Sequence, residues 1–104
     1  MPSTFTNTLV KVGIANTAVY TAVQKSIIIG CVITNTTDAS LPCSVFIRQG
    51  GIDTYIVKNL RVKRGMNAEV VSGKIVLKAN DQLLSVTAVA NGFDLAVSIL
   101  AGVD

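Results

Sequence analysis

The chain has 104 residues, half of them hydrophobic and 14% charged, with a net charge of +3. That length makes one domain, that composition is too apolar for a disordered chain, and so small a basic excess singles out no acidic partner. With no His, no Trp and two Cys, the chain lacks the commonest general base, the commonest transition-metal ligand and the thiols for a four-ligand zinc site.

Residues 1–7, polar apart from Phe5, read as a flexible N-terminal arm ahead of a single domain over 8–104. The first residues show no basic segment followed by an apolar one, so no secretory signal is expected and the cysteines should stay reduced in a cytoplasm. The longest uncharged run, 12–24, has thirteen residues, and 26–37 and 82–93 have twelve each. Spanning a bilayer takes about 20 apolar residues, so no membrane partner is expected.

Val, Ile and Thr recur at a spacing of two between clusters of Gly, Asn and Asp, which is the pattern of strands. It predicts strands at 8–14, 17–23, 25–35, 41–48, 53–63 with a break, 67–71, 74–78, 82–90 and 93–101. Eight or nine short strands imply an all-β fold, an antiparallel β-sandwich or jelly roll with a core of branched aliphatics.

Three hairpins can be aligned. A turn centred on Thr37 pairs Ile27 with Ile47, Ile29 with Val45, Cys31 with Cys43 and Ile33 with Leu41, all on one apolar face. Asn91-Gly92 is a two-residue turn signal that sets Leu84 against Ile99, Val86 against Val97 and Ala88 against Leu95 on the buried face, with Leu83, Ser85 and Thr87 on the mixed face. Gly50-Gly51 pairs Arg48 with Asp53, Phe46 with Tyr55 and Val45 with Ile56. If Ile56 points inward Lys58 must too, so a bulge is expected near Lys58-Asn59, after which Leu60 and Val62 face in.

Residues 48–65 hold five of the nine basic side chains, Arg48, Lys58, Arg61, Lys63 and Arg64. Alternation makes them the wet side of a strand, where lysine also discourages unwanted edge pairing. The sharper alternative is a single-stranded nucleic-acid surface, with Phe46 and Tyr55 stacking on bases and the basic side chains following phosphates. A chain with five aromatics, several needed in the core, disfavours it. A small-molecule or carbohydrate-binding sandwich is a third class, and nothing in the residues raises it. Cys31 and Cys43 read as buried thiols rather than a disulfide. The acids fall mostly at turns, Asp81 among them. No catalytic pair, metal set or cofactor motif appears, and Asn35-Thr36-Thr37, a glycosylation sequon by pattern, means nothing without secretion.

The order of elements resembles small virion structural proteins of tailed bacteriophages. Ile33-Thr34-Asn35-Thr36 ends an apolar strand, Gly50-Gly51 turns a hairpin, Tyr55 to Lys58 opens the next strand, and Lys74 to Leu77 and Asp81 to Val86 follow. The likeness covers about residues 20 to 100. It implies a non-enzymatic building block in many copies, on the head as a decoration protein or at the neck, collar or tail. Its partners would be itself and other virion proteins, and its synthesis would be in the host cytoplasm. The pattern transfers no functional residue, and the basic run Arg61 to Arg64 is an addition to it. The contact residues expected for such an assembly are Arg48, Lys58, Arg61, Lys63, Arg64 and, on the arm, Phe5.

Overall fold

The computed structural model describes residues 4–71, 73–88 and 92–102. These form β1 (Thr4–Val12), β2 (Thr17–Thr21), β3 (Ser26–Asn35), β4 (Leu41–Gln49), β5 (Ile52–Val62), β6 (Asn67–Val71), β7 (Ile75–Leu77), β8 (Gln82–Thr87) and β9 (Phe93–Ala101). One antiparallel sheet runs β1-β9-β3-β6, with β7 also on β3, and the other runs β2-β8-β4-β5. β6 pairs with Cys31–Thr34 and β7 with Ser26–Ile28. The two are therefore one edge strand interrupted around Gly73, whose φ of +116° only glycine adopts readily. Apart from the β4–β5 hairpin and this break, every connection crosses between sheets. That is a jelly roll.

The core lies between the inner faces. β9 supplies Phe93, Leu95, Val97 and Ile99, β3 supplies Ile28, Cys31 and Ile33, and Cys43, Val45 and Leu83 come from the opposite sheet, all at 1% exposure or less. Each large aliphatic so buried contributes about 1.5–3 kcal/mol relative to an exposed one.

Two of the expected hairpins are corrected. β3 and β4 lie in different sheets, as do β8 and β9, so neither Thr37 nor Asn91-Gly92 closes a ladder; Asn91 itself lies outside the described residues. A period of two records which residues face the core, but not whether the matching strand lies beside or across it. Cys31 and Cys43 do both face the interior. Ile29 does not, because β3 bulges between Ile28 and Gly30 and leaves Ile29 38% exposed. On β8 the parity is reversed: Leu83, Ser85 and Thr87 pair with Ile47, Val45 and Cys43 on the inner face, while Leu84 turns outward against Phe46. Ser85 is tolerated inside because its hydroxyl donates to the Ser44 carbonyl at 2.8 Å.

The Gly-Gly hairpin is as read from its turn to Phe46–Tyr55, but the expected Val45–Ile56 pair is corrected. Gly50 and Gly51 have φ of +59° and +82°, a two-residue turn whose twist suits a hairpin, and Arg48 faces Asp53 and Phe46 faces Tyr55. The register then slips twice, so Val45 meets Val57 and Cys43 meets Leu60. Asn59 takes a left-handed φ of +53° at the break, and its N–H donates to Ser44 Oγ at 2.9 Å. Asp81 serves as the expected turn former, its Oδ2 accepting from the Lys78 N–H and from Gln49 Nε2, both at 2.9 Å. Thr4–Asn7, assigned by sequence to an arm, pair with Ala101–Ser98 as the start of β1; residues 1–3 lie outside the described part.

Both cysteines are free and buried. Burial pushes the Cys43 thiol up to about 11, and burial with the nearby Cys43 pushes Cys31 up to about 12. Their folded values lie above the ordinary 9.0, so the folded state holds both thiols neutral while an unfolded chain ionises. This contribution to stability is full below pH 9 and is lost as pH rises through the folded values. The native thiols should therefore react with a disulfide reagent at pH 8 only as fast as the protein opens. Denaturant titrations should show a fall in stability above pH 9 that is shallower in the Cys31→Val, Cys43→Val double variant.

Candidate assembly surfaces

The outer face of the β2-β8-β4-β5 sheet carries most of the basic residues singled out by sequence. Opposition across the hairpin brings Arg48 Nε within 2.7 Å of Asp53 Oδ1 and Nη2 within 3.1 Å of Oδ2, a two-pronged pair. Hydrogen bonding with Arg48 holds the Asp53 carboxyl below its ordinary value, and the same bond raises the guanidinium. The Arg48 guanidinium also lies 5.9 Å from the centre of the Phe46 ring, and Lys58 Nζ lies 5.1 Å from that of Tyr55. The two rings are 5.0 Å apart, tilted by 37°.

These contacts change what the basic strip is. Phe46 points outward from the sheet yet is only 1% exposed, and its cross-strand neighbour Leu84 is 4% exposed. Tyr55 and Arg48 lie against the Phe46 ring and Lys58 lies against Tyr55, a lid on the outside of the sandwich. Arg61 faces Pro42 on the same side, and its Nη1 donates to the Ser40 carbonyl at 3.0 Å. Lys63 and Arg64 are exposed at one end of the sandwich, in the turn that leads from β5 to β6. The structure thus brings Arg48 and Lys58 together, sets Arg61 farther along β5, and places Lys63 and Arg64 beyond it.

Phe5 belongs to a different surface. It stands on β1, on the outer face of the other sheet, 74% exposed opposite Leu100. Four residues on, Leu9 is 76% exposed. Leu9 and Val32 flank Ala96 on β9 in an open groove of about 390 Å³, closed at one end by the Lys11–Asp94 ion pair, 2.9 Å between Nζ and Oδ1. Sequence reasoning missed Leu9. The signal was present in Thr4–Val12, where Phe5 and Leu9 fall on one parity and Val10 and Val12 on the other, so that one apolar pair must face out. Among the described residues no three His, Cys, Asp or Glu side chains gather in a metal-binding group.

No family model matches this sequence, and no curated protein matches it. Solved structures do share the fold. A chain of the acid-stable capsid of Helicobacter pylori bacteriophage KHP30 superposes with a TM-score of 0.61 at 12% identity, over 94% of this chain and 86% of that one. A protein of the disulfide-linked pili of Bacillus endospore appendages gives 0.59 at 11% identity, over 99% and 88%. A pentameric capsid protein from metagenomic phage sequences gives 0.54 at 12% identity over 93% of this chain, which spans 60% of that protein. At these identities the likeness is one of fold alone, a jelly roll shared with these capsid and pilus proteins.

Proposed function

We propose that this protein is a non-enzymatic structural component of a tailed-phage virion, assembling in multiple copies on the head surface or at the neck, collar or tail. The observation that carries the reading is the near full-length match to a phage capsid chain, 94% of one and 86% of the other. The surfaces support it. Phe5, Leu9 and Val76, all more than half exposed, stand on strands rather than in loops, where a neighbouring subunit can cover them. Each such side chain adds about 25 cal/mol for every Å² it loses to a neighbour, and symmetric repetition multiplies that gain over the particle. The exposed Lys63 and Arg64, with Arg61 beside them, offer a second contact to an acidic neighbour.

Mass spectrometry of purified particles tests the proposal. The chain should be present at a fixed, stoichiometric ratio to the principal capsid subunit, and its absence from particles would sink the idea. The nucleic-acid alternative loses ground on geometry. Phe46 is buried, Arg48 is held by Asp53 and Arg61 by a carbonyl, which leaves Tyr55, 43% exposed, as the ring on that face able to stack on a base.

A further inference from the structure

A β-sandwich has four sheet edges, and each exposes unpaired backbone N–H and C=O groups that a further strand can pair with unless the edge is blunted. Three edges here are blunted. β5 is bulged, with Asn59 in a left-handed conformation, and carries Lys58 and Arg61. β2 has five residues and a register shift between Ala18 and Tyr20. The β6–β7 edge is interrupted at Gly73. β1 is different: it keeps an unbroken register with β9 over nine residues. Its segment Thr4–Val10 carries no charge, and Lys11 at its end is held by Asp94.

We infer that β1 is the seat of a twofold contact between two copies of this chain, the two β1 strands pairing antiparallel about Asn7 and joining their sheets into one. The strand is self-complementary in this register. Phe5 lies opposite Leu9 of the second copy, and Leu9 opposite Phe5, so both exposed apolar side chains are covered at once. Thr6 faces Thr8, Thr4 faces Val10, and Asn7 faces itself on the axis. Moving the centre to Thr8 would set Phe5 against Lys11 and Asn7 against Leu9. Moving it to Thr6 would set Phe5 against Asn7 and leave Leu9 without an apolar partner. A twofold axis perpendicular to the sheet keeps outer face with outer face, which is the condition for a continuous sheet. The absence of charge along the pairing segment removes the repulsion that normally protects an edge.

This inference deepens the assembly reading and rests on it for the need of a self-contact, but the two fail separately. A dimer in solution with no chain in particles overturns the virion role, and a particle component that is monomeric in solution overturns the β1 contact. Light scattering on the purified, size-fractionated protein should give a dimer. Phe5→Lys and Leu9→Glu should each weaken it by about tenfold or more. Combining them should restore it to within a few-fold of wild type, because the introduced ammonium of one copy faces the introduced carboxylate of the other. Asn7→Cys should give a disulfide-linked dimer on mild oxidation, and Thr54→Cys on the β5 edge should not; both native thiols are buried. A monomeric wild type, a dimer indifferent to Leu9→Glu, or equal cross-linking through residues 7 and 54 overturns the inference. If a charged variant fails to fold, the cross-linking pair decides alone.

Discussion

Asn35→Ala is expected to lower the unfolding free energy by about 3–5 kcal/mol, a large part of the ~5–15 kcal/mol a domain of this size holds. Asn35 is fully buried at the end of β3, and its amide is used to capacity. Nδ2 donates to the Ala39 carbonyl at 2.7 Å and to the Val62 carbonyl at 2.8 Å. Oδ1 accepts from the Thr37 N–H at 2.9 Å and from Thr37 Oγ1 at 2.7 Å. Its backbone takes part as well: its N–H donates to the Met66 carbonyl, and its carbonyl accepts from the Gly65 N–H. One residue thus ties β3 to the β3–β4 arch, to the end of β5 in the other sheet, and to the β5–β6 turn. Truncation would strand at least one carbonyl and one N–H away from water, each costing about 1–3 kcal/mol, and leave a void. Asn35→Asp should be as damaging, since it keeps the acceptor but loses both donors and buries a charge. Guanidinium unfolding followed by circular dichroism measures both, and a loss below about 1 kcal/mol would show the clasp to be dispensable. The same burial shows that Asn35, though it fits a sequon, cannot carry a glycan in the folded protein.

Asn35 also marks where sequence reasoning stops. The strands, their approximate bounds and the sandwich were legible because apolar spacing of two with turn residues between has one structural meaning. The Gly-Gly hairpin was legible in register as far as Phe46–Tyr55, because positive φ at two adjacent positions fixes the turn, but the slip that moves Val45 from Ile56 to Val57 was not. Strand partnership was not: Cys31 and Cys43 match equally well as neighbours in a ladder or as opposites across a core. Bulges were half legible. The break at Asn59 followed from Lys58 having to face water, but nothing about Ile29 announces that β3 slips there, since three isoleucines in a row fit either parity. Ser85 and Leu84 were misassigned because a hydroxyl with a backbone acceptor is cheap to bury, and because a leucine can face outward when another apolar side chain lies over it. The contact residues fared likewise. Charge density drew attention to Arg48 and Lys58, whose neighbours show a lid, while on the uncharged β1 edge Phe5 was singled out, as part of an arm, and Leu9 was not.

That lid gives the second large effect. Phe46→Ala should cost about 3–4 kcal/mol, a core-sized penalty at a residue on the outer face of a sheet. The ring is 1% exposed, pressed between Leu84, Tyr55 and the Arg48 guanidinium, so truncation removes its burial and leaves a cavity that the paired strands β4, β5 and β8 cannot close. Tyr55→Ala should cost much less, because that ring is already 43% exposed. The coupling between the two in a double-mutant cycle should be about 0.5–1.5 kcal/mol, the range for tilted ring pairs at this separation. A contact surface for a partner predicts the reverse order, with Tyr55 important for binding and Phe46 of little account for stability. A near-neutral Phe46→Ala in urea titrations would therefore return the basic strip to the list of binding surfaces. A loss near the expected size fixes Arg48 and Lys58 as cover for the fold, and leaves Arg61, Lys63 and Arg64 as the part of the strip available to a neighbour.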